Sequence, residues 1–204
     1  MTQFPAVILM GPTGSGKTPF GDYLEKNGFW NTRCHHFDFG ENLRETAYSD
    51  NGSAFSTAEK KFLRDILEKG ALLENESFSI ALKILESFIA RRNVQKDEYL
   101  LMNGLPRHIG QAEALKPLLE VTHIFHLDCT PDTVLARIST NAGGDRTGRT
   151  DDDITLVCEK LRIFHERTSP VKEYYLSHGA GLITFDVEEA TSHRELYEQL
   201  HDIQ

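Results

Sequence analysis

Between the apolar run Ala6 to Met10 and a helical pattern that begins near Lys17 lie Gly11, Pro12, Thr13, Gly14, Ser15, Gly16, Lys17 and Thr18, and no other stretch constrains the chain as tightly. They satisfy GxxxxGK(S/T) at every required position, with the strand before and the helix after that this loop needs. Glycines let the backbone turn tightly and bring successive N–H groups towards phosphate oxygens, while the following helix points its positive end at the same anion. Gly11, Thr13, Gly14, Ser15 and Gly16 are therefore candidate triphosphate-cradling residues. Lys17 is placed to reach the β- and γ-phosphates, and the Thr18 hydroxyl to hold a bridging Mg²⁺.

A chain of 204 residues can bury one good core, so one main domain is expected. Charged residues of both signs are spread along it, no low-complexity segment interrupts it, and the pattern is that of a folded protein. The formal net charge is −9, and basic residues cluster no further than the pairs Lys60-Lys61 and Arg91-Arg92. This argues against a nucleic acid polymer as partner. Ala6 to Met10 is too short to span a bilayer and no basic stretch precedes it, so no membrane association and a cytoplasmic location are expected. Cys34, Cys129 and Cys158 are widely spaced and form no CxxC, which predicts reduced thiols in or near the core rather than a disulfide framework or zinc site.

Taken in order, Ala6 to Met10 reads as a strand buried on both faces, and a helix from about Lys17 ends at Asn27-Gly28. Arg33 to Phe39 reads as a second strand. Its histidines, His35 and His36, point to opposite faces and find no third ligand nearby, so they predict packing rather than metal. Residues 40–97 carry only helical patterns, over Glu41 to Ala47, Ala58 to Lys69 and Phe78 to Arg92, which suggests a helical insertion. Strands follow at Glu98 to Met102, Thr122 to Leu127 and Gly181 to Val187. Helices are expected over Ile109 to Leu119, broken at Pro117, over Pro131 to Thr140, and from about Asp152 to Arg167, interrupted at Ser169-Pro170. A last helix spans Ser192 to His201. Residues 141–150, rich in glycine and bearing two arginines, read as a mobile loop. The alternation predicts an α/β fold with a parallel sheet of about five strands and the phosphate loop at its carboxyl edge.

The loop alone serves many kinds of nucleotide chemistry, so the remainder of the chain must choose among them. Asn103, Gly104, Leu105, Pro106 and Arg107, with Gln111 and Ala112-Glu113-Ala114-Leu115 downstream, resemble the DGFPR and QAxxL signature of the adenylate kinase family. In the same order, Gly40 to Arg44 resembles its GDLLR, Arg149 to Asp152 its RxDD, and Thr168 to Val171 with Tyr174-Tyr175 its TxPV and YY. The resemblance covers essentially the whole chain. It implies a three-layer phosphate-loop kinase of the short-lid form, with residues 40–97 binding the acceptor and 141–150 as the lid; the lid has no cysteines, so no zinc is implied.

The resemblance further implies that ATP with Mg²⁺ donates its γ-phosphoryl group to a nucleoside monophosphate, with AMP the first acceptor, in a monomeric enzyme. Arg44 and Arg107 become clamps on the acceptor's phosphate, and Arg149 with Lys160 neutralises the group in transfer, together with Lys17. Gln111 reads the acceptor base, with Phe39 and Gly104 beside it. Guanidinium forks suit phosphates, and phosphoryl transfer needs fixed cations around spread negative charge.

Four positions depart from the family pattern. Pro19 follows Thr18 and has no N–H to offer. Phe39 replaces a base-contacting threonine. Lys160 stands for an arginine, keeping the charge without the fork, and Arg162, two residues on, faces elsewhere. Asn103 replaces an aspartate that would orient a Mg²⁺-bound water; a higher Mg²⁺ requirement is expected, relieved by Asn103→Asp, unless Asp38 or Asp128 already supplies the charge. Two other readings keep the loop: a nucleotide sensor without competent catalysis, and a transferase of another phosphate-loop class.

Overall fold

The computed structural model describes residues 3–49, 55–69, 73–147 and 153–203. Strand β1 (Phe4–Met10) lies at the centre of a sheet ordered β2-β3-β1-β4-β5, with β2 Cys34–Asp38, β3 Tyr99–Asn103, β4 Leu119–Asp128 and β5 Gly181–Asp186. All four pairings are parallel. The apolar run that opens the chain is buried because helices cover both faces. Ile8, Met10, Phe37 and Met102 point into one core, shared with helices α2 (Phe39–Tyr48), α3 (Thr57–Lys69), α4 (Phe78–Arg92) and α5 (Ile109–Leu115). Val7, Leu9, Leu101 and Phe125, one residue out of phase, point into the other, against α1 (Lys17–Asn27). Helices α6 (Pro131–Thr140) and α7 (Ile154–Ile163) flank the β4 end, α8 (Pro170–Ser177) joins the first core, and α9 (His193–Asp202) packs beside α1.

The chain runs from β1 to one side of the sheet and later to the other, so the carboxyl end of β1 is a topological switch point and the place where such sheets bind ligands. The loop of Gly11 to Gly16 lies there. Helix α1 stops where the sequence places its end, with Gly28 N–H donating to Leu24 O at 2.7 Å. Helix α9 carries a full capping box between Ser192 and Glu195.

Of the boundaries that differ from expectation, four have a clear local reason. Strand β2 ends at Asp38, whose side chain accepts the Glu41 N–H at 3.0 Å and so starts α2, making Phe39 helical. Helix α5 ends at Leu115, and β4 begins at Leu119, where pairing with Phe4 takes over. Ser169-Pro170 does not break the helix: residues Phe164–Thr168 widen into a π turn, with Ser169 N–H donating to Phe164 O at 2.7 Å, and α8 continues from Pro170. A proline clashes with the carbonyl four residues back in an α-helix; the wider turn relieves that clash. Cys34 is buried and Cys129 half-buried, but Cys158 is exposed on the solvent side of α7, away from Val157 and Leu161.

Candidate active site

One cleft opens over the carboxyl ends of β1, β2 and β3, lined by the phosphate loop, Asp38 to Gly40, Arg44, Asn103 to Arg107 and Gln111, and closed on the far side by Asp145, Arg146, Lys160 and Phe164. The loop takes its shape from its glycines. Gly16 has φ 95° at the start of α1, and a Cβ on Gly11 would fall 2.7 Å from the Leu127 carbonyl. The Lys17 ammonium donates to Gly11 O at 2.8 Å and Pro12 O at 2.6 Å, which holds it over the loop. Desolvation, then the positive charge of Arg107, lowers its pKa to about 7, against an opposing pull from Asp38. The same desolvation by the cleft walls lowers Arg107, again opposed by Asp38.

Arg107 is held by its backbone at both ends: its N–H donates to Gln111 Oε1 at 2.7 Å, and its carbonyl accepts the Thr168 hydroxyl at 3.0 Å. The π turn is what brings Thr168 and Phe164 to the cleft. Gln111 is fully buried, and its Nε2 donates to Leu73 O at 2.8 Å. One N–H and one oxygen lone pair of the amide remain for a ligand. Phe39 and Gly104 stand together, a Cβ on Gly104 lying 3.4 Å from Phe39 Cβ. Arg44 projects from α2 and Lys160 from α7 into the same cleft. Arg149 lies outside the described residues, and the expected lid is described only as far as residue 147.

Beside Lys17, Thr18 Oγ1 donates to Asp38 Oδ2 at 2.7 Å, and Asn103 Nδ2 donates to the same oxygen at 2.9 Å. Asp38 is thus the carboxylate next to the loop's threonine, whereas Asp128 does not line the cleft. His36 Nε2 lies 3.3 Å behind the Asn103 amide, and its Nδ1 faces Asp22 Oδ1 at 2.8 Å. His35 turns the other way, to Glu98 Oε2 at 2.8 Å. The two histidines thus lie on opposite faces of β2, as their alternation predicts, and each faces a different carboxylate.

Two arginines matter here that the sequence did not single out. Arg146 is buried to 8% exposure on the cleft wall, and its charge reaches Lys17. Arg137 is 4% exposed; its guanidinium donates to Gly14 O at 3.1 Å and to the carbonyls of Glu188, Glu189 and Thr191 at 2.7–2.9 Å. It ties the phosphate loop to the segment after β5. An arginine on the buried side of PDTVLARIST is the only signal that the sequence offers for it. Arg162, by contrast, pairs with Glu159 and Glu166 on the surface, away from the cleft as its helical position predicts.

A parallel sheet with a phosphate loop at its switch point, and cationic side chains from several elements facing that loop, defines a phosphate-loop phosphotransferase. The adenylate kinase family model matches residues 9–180, and the chain belongs to that family. Its class of activity is accordingly nucleoside monophosphate kinase phosphotransfer. The chain is 29% identical to an adenylate kinase of Bacteroides fragilis over 180 residues, covering 85% of each chain. It is 24% identical to one of Caldicellulosiruptor bescii over 213 residues, covering 90% of this chain and 92% of that one. Among solved structures, an unliganded sugar kinase from Janibacter sp. superposes with TM-score 0.52 at 18% identity, over 98% of this chain and 91% of that one; this likeness is one of fold. Among the described residues no helix is long and apolar enough to cross a membrane.

Proposed function

We propose that the enzyme moves the γ-phosphoryl group of ATP to AMP in this cleft. The observation that carries the reading is convergence: Lys17 from α1, Arg44 from α2, Arg107 from the loop after β3 and Lys160 from α7 all line one cavity. Four cations from separate elements around a phosphate loop, with Asp38 and Asp145 among them in the same cleft, make a site suited to a polyanionic ligand. Gly11, Thr13, Gly14, Ser15 and Gly16 cradle the donor's phosphates, and Lys17 holds the β- and γ-phosphates. Arg44 and Arg107 fix the acceptor's phosphate, Gln111 reads its base, and Phe39 and Gly104 shape the wall beside it.

An oxygen of the acceptor phosphate attacks the γ-phosphorus while the bond to the β–γ bridging oxygen breaks, so that two molecules of ADP result. The chain's part is to align the two phosphates and to surround the spread negative charge with Lys17, Arg107, Arg149 and Lys160. Mg²⁺, held through Thr18 and carboxylate oxygen, supplies charge neutralisation of the phosphates when bound; a hydroxyl beside a carboxylate is an oxygen donor set that suits this hard cation. Residues 40–97 act as the acceptor-binding insertion and 141–150 as the lid, closing to exclude water. The enzyme works as a cytoplasmic monomer. Coupled ADP formation across AMP, GMP, CMP and UMP tests the reading: turnover is expected with AMP above the rest, and turnover with none of them overturns it.

A further inference from the structure

Asp38 and Asn103 are register partners at the carboxyl ends of adjacent strands, and the strand end where the family signature carries an aspartate is neutral here. The negative charge stands at the end of β2 and the neutral amide at the end of β3. Both Asp38 oxygens are fixed: Oδ1 caps α2 through the Glu41 N–H, and Oδ2 accepts from Thr18 Oγ1 and Asn103 Nδ2. Asp38 is 8% exposed and Asn103 4%, so neither charge nor amide is a solvated surface feature.

Building on the kinase reading above, we propose that Asp38 is the carboxylate that holds the donor's Mg²⁺ with Thr18, and that Asn103 is its neutral positioning partner. Mg²⁺ is bound through one or two carboxylates together with substrate phosphates and retained water. In this site the carboxylate and the loop hydroxyl already share a hydrogen bond, so both donors stand at the same point beside Lys17. Asparagine at 103 then has a physical reason. A second carboxylate at hydrogen-bond distance from Asp38 would be a like-charge pair, one of whose members must take up a proton. The amide instead donates to Asp38 and, with the His36 proton assigned to Nδ1 against Asp22, also faces an accepting Nε2.

The test is Mn²⁺ binding, followed by electron paramagnetic resonance in the presence of a non-hydrolysable ATP analogue, with metal-free binding of the analogue measured alongside. The proteins are the wild type, Asp38→Asn, Asn103→Asp and the exchanged pair Asp38→Asn/Asn103→Asp. Asparagine also caps helices, so Asp38→Asn keeps the start of α2. The expected result is a loss of about 10- to 100-fold in Mn²⁺ affinity for Asp38→Asn, the range typical of groups that orient a metal's ligands, with metal-free analogue binding preserved. Asn103→Asp alone should give no gain, and the exchanged pair should recover most of the loss. Unchanged Mn²⁺ affinity in Asp38→Asn, or a large gain in Asn103→Asp alone, overturns the assignment while leaving the kinase reading standing. Failure of the wild type to bind the analogue at all would overturn both.

Discussion

Gln111 and Arg107 are bonded directly, the side-chain oxygen of the glutamine accepting the arginine's N–H at 2.7 Å. The residue assigned to the acceptor base therefore also sets the backbone of the residue assigned to the acceptor phosphate. Removing the amide leaves the Arg107 N–H and the Leu73 carbonyl without their partner, at about 1–3 kcal/mol for each unsatisfied group. Gln111→Ala should raise the KM for the monophosphate well beyond the KM for ATP, and lower the unfolding midpoint in urea. Equal effects on both substrates would separate Gln111 from the acceptor side.

Lys17→Ala should abolish phosphoryl transfer and weaken ATP binding while the fold is retained. The lysine's bonds are to carbonyls of its own loop, so its loss disturbs no core packing. Near-normal turnover, with a far-ultraviolet circular dichroism spectrum like the parent's, would contradict its role.

The lowered pKa of Lys17, about 7, gives a pH signature with a definite sign. At about pH 8 much of the lysine is neutral in the protein alone, and a bound polyphosphate favours its charged form. ATP binding should therefore take up protons at that pH, and the uptake should vanish as pH falls below 7, where the ammonium is already formed. Calorimetry in two buffers of different ionisation enthalpy reads this directly. Proton release at that pH, or uptake that persists in Lys17→Met, would be the contrary result.

Arg137 and Arg167 offer a contrast in what arginines contribute. Arg137 is buried and satisfies four backbone carbonyls, so Arg137→Ala should cost about 2–4 kcal/mol. Arg137→Lys should recover only part, because an ammonium lacks the fork. Arg167 pairs with Glu74 in the open, at 38% and 53% side-chain exposure. Its removal should cost no more than about 1 kcal/mol. Chemical denaturation of the three variants decides whether burial, rather than the count of bonds, sets the cost.

Much of the site was legible in the chain because its signals are local. The phosphate loop, the helix end at Gly28 and the opposite facing of His35 and His36 follow from short-range spacing, whereas Arg107 and Gln111 are named through the family resemblance. What escaped depends on lateral placement. Nothing in the order of residues says that Asp38 and Asn103 are register partners, so the carboxylate beside Thr18 could be named only as one of two candidates. Arg137 reaches the segment after β5 across three intervening elements, and its side-chain bonds have no sequence period. The π turn was missed because Pro170 reads as a break, whereas a turn widened through the Ser169 N–H bond to Phe164 O accommodates the proline and leaves the Thr168 hydroxyl to donate to Arg107 O.

The most direct test follows the phosphorus itself. ATP labelled at its γ-phosphorus is mixed with AMP, Mg²⁺ and the enzyme, and the products are separated. Transfer in this cleft predicts label in the β-position of ADP newly formed from AMP, no label as inorganic phosphate, and none moved by Lys17→Ala. Label that stays in ATP, or appears only as inorganic phosphate, would contradict phosphoryl transfer to a nucleoside monophosphate.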